Sequence, residues 1–144
     1  MKHHCHNTLF LVGKPESVMA AKQALLLEPD STKPVLDFSL LLPPPASLQQ
    51  AKRNKAFIQE LKRWRTQNWS TQSNGVLTNM KEDKQSLQIQ FTTIWSPPIK
   101  VYQALAAQWP NLGCVYLYHN SKAFLWGMAW YQDGLWTVHE TMYA

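Results

Sequence analysis

The nine prolines of this 144-residue chain limit where its helices and strands begin and end. Proline donates no backbone hydrogen bond and fixes φ, so it is tolerated in the first turn of a helix or at the end of a strand. Pro15 and the pair Pro97-Pro98 each precede apolar residues at helical spacing, which favours a helix start at both places. Pro29 and Pro110 lie where such patterns stop. The chain is therefore divided into short elements.

The first 45 residues predict a strand, a helix and a second strand. Residues 8–12 are rich in β-prone side chains and are followed by Gly13. Residues 15–27 show apolar side chains at helical spacing. Residues 36–42 predict the second strand, which the three prolines of residues 43–45 end.

The next segment, residues 46–67, carries the net charge of the chain. The formal net charge is +5, and this segment holds six basic residues against Glu60 alone. Its apolar residues, among them Leu61 and Trp64, recur at helical spacing, so we predict an amphipathic helix. The basic residues are Lys52, Arg53, Lys55, Lys62, Arg63 and Arg65. Such a helix face is either simply solvated or contacts an acidic partner, which would be nucleic acid or an acidic protein surface.

A hairpin and a helix are predicted next. Asn74-Gly75 is a turn signal, and residues 76–80 and 87–95 predict two paired strands, the second with alternating apolar and polar residues. Ser96 followed by Pro97 predicts a helix whose first turn is capped by the serine side chain.

Three strands are predicted to close the chain, at residues 114–118, 123–131 and 135–139, with Asp133-Gly134 as the last turn. The order β-α-β, extra helix, β-β-α-β-β-β extends the split βαβ plan called ferredoxin-like. We therefore predict one α+β domain over residues 1–144, ferredoxin-like, with an inserted basic helix and a C-terminal antiparallel meander.

Composition indicates a globular protein, because 45% of the residues are hydrophobic and only 16% are charged. The longest apolar run, residues 35–45, is shorter than the roughly 20 residues of a membrane helix. The amino terminus shows no apolar signal core. We expect a cytoplasmic protein in which Cys5 and Cys114 are free thiols.

The amino terminus combines His3, His4 and His6 with Cys5, and both residue types can bind metals. In an extended chain, alternate residues face opposite ways, so these four do not converge on one tetrahedral site. His3 is the weak metal candidate, since a free amino terminus with histidine at position three can wrap copper or nickel through backbone nitrogens. No other metal site and no cofactor are expected.

No catalytic constellation is visible. A nucleophilic cysteine needs a base within hydrogen-bond reach and a third group that orients the base. No sequence pattern places Cys5 or Cys114 near His119 or His139. The acidic residues likewise show no spacing typical of a catalytic pair. A glycine-rich phosphate loop is also missing. We expect a protein that is not an enzyme.

The aromatic residues near the C-terminus allow two interpretations. Large side chains alternate with small ones along residues 123–131; the large ones are Phe124, Trp126, Met128 and Trp130. In the first interpretation they form an open sheet face, extended by Tyr116 and Tyr118, which would stack bases or anchor a protein. Alternatively, the helix over residues 46–67 covers these rings and makes them ordinary core.

Trp64 and Trp69 flank Arg65 on a polar stretch. Exposed tryptophans beside an arginine would suit a contact with a partner. The alternative is that both rings pin a loop to the core.

Three segments form a recognisable pattern: Cys5-His6-Asn7 before the first strand, Trp95-Ser96-Pro97-Pro98 before a helix, and Trp109-Pro110-Asn111-Leu112 after that helix. These segments resemble the YubB-type ferredoxin-like proteins of plasmids and bacteriophages. The resemblance covers most of the chain, although Ser70, Gln72 and Ser73 stand where that family usually has glycine, lysine and tryptophan. It implies the fold and an origin in a mobile genetic element, and no reaction, cofactor or catalytic residue.

The expected function is therefore that of a non-enzymatic binding protein of a mobile genetic element, which docks onto a host or element-encoded protein. The concrete form is an inhibitor of a host defence system, of the anti-CRISPR type. Lys52, Arg53, Lys62, Arg63 and Arg65 would steer the encounter, and Trp64, Trp69 or Trp126 would anchor it. The alternative is a nucleic-acid-binding accessory protein that uses residues 46–67 and the aromatic sheet face. An exposed aromatic face would also favour a homodimer.

Overall fold

The computed structural model describes residues 3–49, 54–132 and 134–142. The strands are β1 (His4–Val12), β2 (Leu26–Leu27), β3 (Val35–Leu36), β4 (Val76–Glu82), β5 (Ser86–Ile94), β6 (Gly113–Asn120), β7 (Leu125–Gln132) and β8 (Leu135–Met142). The helices are α1 (Pro15–Leu25), α2 (Lys55–Trp69) and α3 (Ile99–Gln108). Phe38–Leu40 and Ala46–Leu48 form short 3-10 turns.

Within the described residues, six strands form one sheet in the order β4-β5-β1-β6-β7-β8, and every neighbouring pair is antiparallel. The connections β1-α1-β4 and β5-α3-β6 each step over one strand of this order. That is the split βαβ arrangement of a ferredoxin-like fold, and it confirms the predicted α+β class. The hairpin of β7 and β8 extends the sheet beyond β6, and β2 pairs with β3 apart from it.

Helices α1 and α3 lie on one face of the sheet, which we call the covered face. Leu25 of α1 and Leu105 of α3 line the same apolar space as Leu9 of β1 and Ile89 of β5. On β1 and β5 the buried residues alternate with more exposed ones, as expected for strands packed on one side only. The core of the protein therefore lies between these two helices and the covered face.

A buried polar network lies inside this core and centres on Asn7. Its side-chain amide donates to Thr93 Oγ1 at 3.1 Å and to the Cys5 carbonyl at 3.1 Å. Its side-chain oxygen accepts from the Tyr116 hydroxyl at 2.7 Å. Because an unpaired buried polar group is costly, these bonds give Asn7 in the Cys5-His6-Asn7 motif a structural role.

Helix α2 is shorter than predicted. It begins at Lys55, where Asn54 Oδ1 accepts a hydrogen bond from the Phe57 backbone N–H at 2.8 Å. Ala46–Leu48 forms a separate 3-10 turn after the prolines, so the predicted start at residue 46 is wrong. Asparagine caps a helix by satisfying one of its free N–H groups. Residues 50–53, with Lys52 and Arg53, lie outside the described residues.

Two further predictions need correction. Of the predicted strand over residues 36–42, only Leu36 lies in a strand: Asp37 accepts from the Ser39 N–H at 3.0 Å and Asn74 accepts from the Phe38 N–H at 3.0 Å, which turns the chain after Leu36. Ser96 does not cap α3; its hydroxyl donates to the Ser70 carbonyl at 2.8 Å.

Asp133 of the predicted last turn lies outside the described residues, while Gly134 follows it with a positive φ of 81°. None of the described helices is long and apolar enough to cross a bilayer.

Candidate binding surface on the open sheet face

The face of the sheet opposite α1 and α3 is called the open face. The strand register aligns its side chains in rows that run across the sheet. From β1 through β6 and β7 to β8, the rows are His6–His119–Trp126–Thr141, Thr8–Leu117–Met128–His139 and Phe10–Val115–Trp130–Thr137. Large apolar side chains thus occupy the middle of this face.

The structure decides between the two interpretations of the aromatic strand. Trp126 is 42% exposed and Leu117 is 36% exposed, so no helix lies on them. Helix α2 is on the other side of the sheet, because Trp69 packs against Phe38 and Phe38 packs against Phe91 of the covered face. The rings of β7 therefore lie on an open sheet face, and the interpretation that α2 covers them is wrong; binding by this face stays a prediction.

Tyr116 and Tyr118 do not extend the open face, which corrects the prediction. Both are buried on the covered face. Register pairs Tyr118 with Gly127, and a Cβ at Gly127 would lie 2.2 Å from the Tyr118 ring. The Tyr118 hydroxyl donates to Glu140 of β8. On the covered face, the tyrosine rings of β6 therefore pack over the small residues of β7, and no described helix packs there.

The open face carries little formal charge. Strands β4 and β5 contribute neutral polar side chains beside the apolar rows, including Gln88, Gln90 and Thr92. Within the described residues, the strands place no carboxylate on this face, and Lys81 is its one ammonium group. The surface is apolar in the middle and neutral at its β4 side.

The predicted basic residues lie elsewhere. Lys62 and Arg63 are exposed on α2, on the covered side of the sheet. Arg65 is half-buried, and its guanidinium lies over the Trp69 ring at 5.1 Å from the centroid. Trp126 and the basic side chains of α2 thus lie on opposite sides of the sheet and do not form one surface.

Trp69 is not an exposed anchor. It is 1% exposed, and its indole N–H donates to the Leu42 carbonyl at 2.9 Å. Trp64 is partly buried and meets Trp69 edge-on, with 5.6 Å between the ring centroids. Trp69 pins the segment before α2 to the core and Trp64 packs against Trp69, so the expectation that Trp69 contacts a partner needs correction.

Trp95 is an exposed residue that the sequence prediction missed. Its backbone has a positive φ of 71°, which is unusual for a bulky side chain and costs about 1–3 kcal/mol. Two bonds hold it there: its N–H donates to the His3 carbonyl at 2.7 Å, and Asn120 Nδ2 donates to its carbonyl at 2.6 Å. The ring is 48% exposed. The signal in the sequence was the motif that begins at Trp95.

The thiols and histidines that might have formed a catalytic pair lie on different faces. Cys5 and Cys114 are buried on the covered face, and burial raises the pKa of each thiol to about 12. His119 stacks on His6 on the open face, with 6.0 Å between the ring centroids, and His139 lies on the same face. A protonated thiol is a poor nucleophile.

Among the described residues, no group of three or more histidine, cysteine, aspartate or glutamate side chains could hold a metal ion. The His3 ring packs against Trp95 at 5.3 Å between centroids. The copper or nickel site predicted for the amino terminus includes Met1 and Lys2, which lie outside the described residues.

Comparison with known families gives the same class of protein as the fold. The family described as the ferredoxin-like domain in Api92-like protein matches residues 68–141, which is half of the chain. The chain belongs to this family. Searches of curated proteins and of solved structures returned no match.

Proposed function

We propose that this chain is a non-enzymatic binding protein of a mobile genetic element, which acts by docking its open face onto a host or element-encoded protein. The observation that carries the proposal is the uncovered middle of the sheet, with Leu117, Trp126 and their apolar neighbours in aligned rows. Contiguous apolar patches on a protein surface typically mark sites of interaction.

The charge of the open face favours a protein partner over nucleic acid. Nucleic-acid binding draws much of its free energy from basic side chains on phosphates. Here the strands offer Lys81 alone, while Lys62 and Arg63 lie on the opposite side. A partner that meets this surface should itself be apolar and weakly charged at its centre, as the cores of protein interfaces are.

Trp126 is the proposed main anchor. Tryptophan is enriched among the residues that dominate interface free energies. The ring lies between His119 of β6 and Thr141 of β8 in its row, with Met128 on the same face two residues along the strand. Because Trp95 sits where β5 ends, near the row that begins at His6, we propose that it contacts the rim of the same partner.

The cellular role follows from the resemblance to proteins of plasmids and bacteriophages. We infer that the partner belongs to a host defence system and that docking inhibits it. The basic side chains of α2 would raise the rate of encounter with an acidic partner through long-range attraction, without lying in the interface.

The test compares two variants of opposite faces. The open-face variant carries Trp126→Ala and Leu117→Ser, and the helix variant carries Lys62→Gln and Arg63→Gln. A partner would be captured by cross-linking in plasmid-bearing or infected cells, purified, and titrated against each form. We expect the open-face variant to lose affinity by about 30-fold or more, the value that corresponds to an interface hot spot. The helix variant should change mainly the association rate and its salt dependence.

A partner whose affinity is unchanged by the open-face variant would contradict this proposal. So would finding no protein whose defensive activity the purified chain reduces. In either case the open face has another role.

The second candidate is a nucleic-acid-binding accessory protein, which the exposed Trp126 and the partly buried Trp130 on an antiparallel sheet favour. Single-stranded nucleic acids stack bases on such rings. A salt series on single- and double-stranded DNA and RNA would test it with both variants. Binding that weakens steeply with salt and is lost in the open-face variant would favour this candidate.

A further inference from the structure

The two edges of the sheet are built differently. Edge strands expose unpaired backbone groups, and proteins normally block them with charges, bulges or a covering segment. On β4 the pairing register shifts between Leu77 and Asn79, and Lys81 and Glu82 follow. The loop of residues 31–34 lies beside this strand and forms a cleft of about 410 Å³ with it. The β4 edge is thus protected in three ways.

In the part of the chain that the structure describes, β8 has neither the register shift nor the covering loop of β4, and Glu140 is its one carboxylate. β8 pairs with β7 in continuous register over its eight residues, and seven of them are exposed. It contains no lysine, arginine or proline. Leu135 is 72% exposed, Val138 45% and Met142 74%. A long apolar edge of this kind is a template for pairing with another strand.

We propose that β8 pairs antiparallel with β8 of a second copy of this chain, about a two-fold axis that places Val138 opposite Val138 of the copy. The two sheets then continue into one, with both open faces on the same side. The homodimer doubles the surface that carries Trp126 and leaves the partner site on each copy accessible.

The distribution of apolar side chains favours an added strand over a partner docked on one face. Leu135 points to the open face, whereas Val138 and Met142 point to the covered face beyond the reach of the helices. A strand placed along the edge contacts side chains on both faces, since its own residues alternate in the same way. The main-chain bonds of such pairing supply affinity.

Charge favours a second copy in this register. With Val138 at the axis, Glu140 lies opposite Trp136 and His139 lies opposite Thr137, so no like charges meet. An axis at Glu140 would place two carboxylates opposite each other, which is destabilising. Pairing about Val138 is therefore the register that we propose.

The test is cross-linking of Val138→Cys under mild oxidation. Paired residues of antiparallel strands have Cα atoms about 4.5–5.5 Å apart, which suits a disulfide. Cys5 and Cys114 are buried and give no background. The control is Thr78→Cys, an exposed residue on the protected β4 edge. We expect the Val138→Cys protein to form a covalent dimer at least tenfold faster than the control.

Sedimentation of the unmodified chain provides the second measurement. We expect a concentration-dependent dimer that Val138→Lys converts to monomer, while Thr78→Lys and Leu117→Lys leave it intact. A chain that stays monomeric at all concentrations overturns the proposal. A dimer that survives Val138→Lys and is lost with Leu117→Lys also overturns it, because the open faces then form the contact.

Discussion

The two faces of this sheet come from the same strands, but they differ in what the side chains contact. On the covered face, Leu9, Ile89 and Tyr116 are almost fully buried, and even the polar Asn7 has its hydrogen bonds made within the protein. On the open face, Leu117 and Trp126 keep more than a third of their surface in solvent. The strands place apolar residues on both.

This difference separates stability from binding. Burial of apolar surface is the main favourable term in folding. On the covered face, α1 and α3 already bury the apolar side chains of the strands. The open face retains apolar surface that the described residues leave in solvent. We therefore expect substitutions on the covered face to change the free energy of unfolding and substitutions on the open face to change association.

The largest expected effect on stability comes from truncating a leucine on the covered face, and a leucine truncated on the open face is the comparison. Leu9→Ala removes a buried side chain and should lower the free energy of unfolding by about 2–5 kcal/mol. Leu117→Ala removes one that is 36% exposed, and we expect a loss of about 1 kcal/mol. Urea denaturation of both variants measures the difference. Equal losses would mean that the open face is packed as tightly as the covered one.

The second prediction concerns alkaline pH. Burial raises the pKa of Cys5 and Cys114 from the ordinary value of 9.0 to about 12, so the folded chain keeps protons that the unfolded chain releases above pH 9. Stability is therefore fully present below pH 9 and is lost as pH rises toward 12. Each thiol contributes a loss of about 1.4 kcal/mol per pH unit, or about 3 kcal/mol for both at pH 10.

Cys114→Ala provides the control for this pH dependence. Between pH 8 and pH 10 its free energy of unfolding should fall less steeply than that of the unmodified chain. The difference in slope should equal the contribution of one thiol. Tyr102, Tyr116 and Tyr118, whose pKa values burial also raises, act in the same direction in both proteins. If the free energy of unfolding depends on pH equally in the two proteins, burial does not raise the pKa of the Cys114 thiol as described.

How far the sequence predicted these faces depends on which contacts are local. Alternation along one strand is local, so the separation of Trp126 and Met128 from Gly127 and Ala129 was readable. Whether Tyr116 and Tyr118 shared the face of Trp126 depended on the register between β6 and β7. That register follows from the turn in which Asn120 Oδ1 accepts from the backbone N–H groups of Lys122 and Ala123, and this turn could not be predicted from the residue pattern.

The position of α2 was less predictable for a related reason. The spacing of Leu61 and Trp64 indicates an amphipathic helix but not the surface that it meets. That surface was decided by Trp69, whose indole bonds to the Leu42 carbonyl far away in sequence. A tryptophan beside an arginine looks the same in sequence whether it is buried or exposed, so only the fold could show that Trp69 is core.

The third prediction tests the contact between β6 and β7 on the covered face. Gly127→Ala would place its Cβ 2.2 Å from the Tyr118 ring, so the ring must move and its bond to Glu140 weakens. We expect a loss of about 1–3 kcal/mol. Gly113→Ala is the matched control, because its nearest neighbour would be 3.6 Å away. A Gly127→Ala protein as stable as the control would show that Tyr118 has room to rotate.

The smallest expected effect is on the open face itself. Trp126→Ala removes contacts that the ring makes only in part, because 42% of its surface is in solvent. The free energy of unfolding should fall by about 1 kcal/mol or less, and the fall should not depend on protein concentration. Chemical denaturation at low and high protein concentration measures both. A larger loss that grows with concentration would mean that another copy already covers this face, because an association that requires folding stabilises the folded state by mass action.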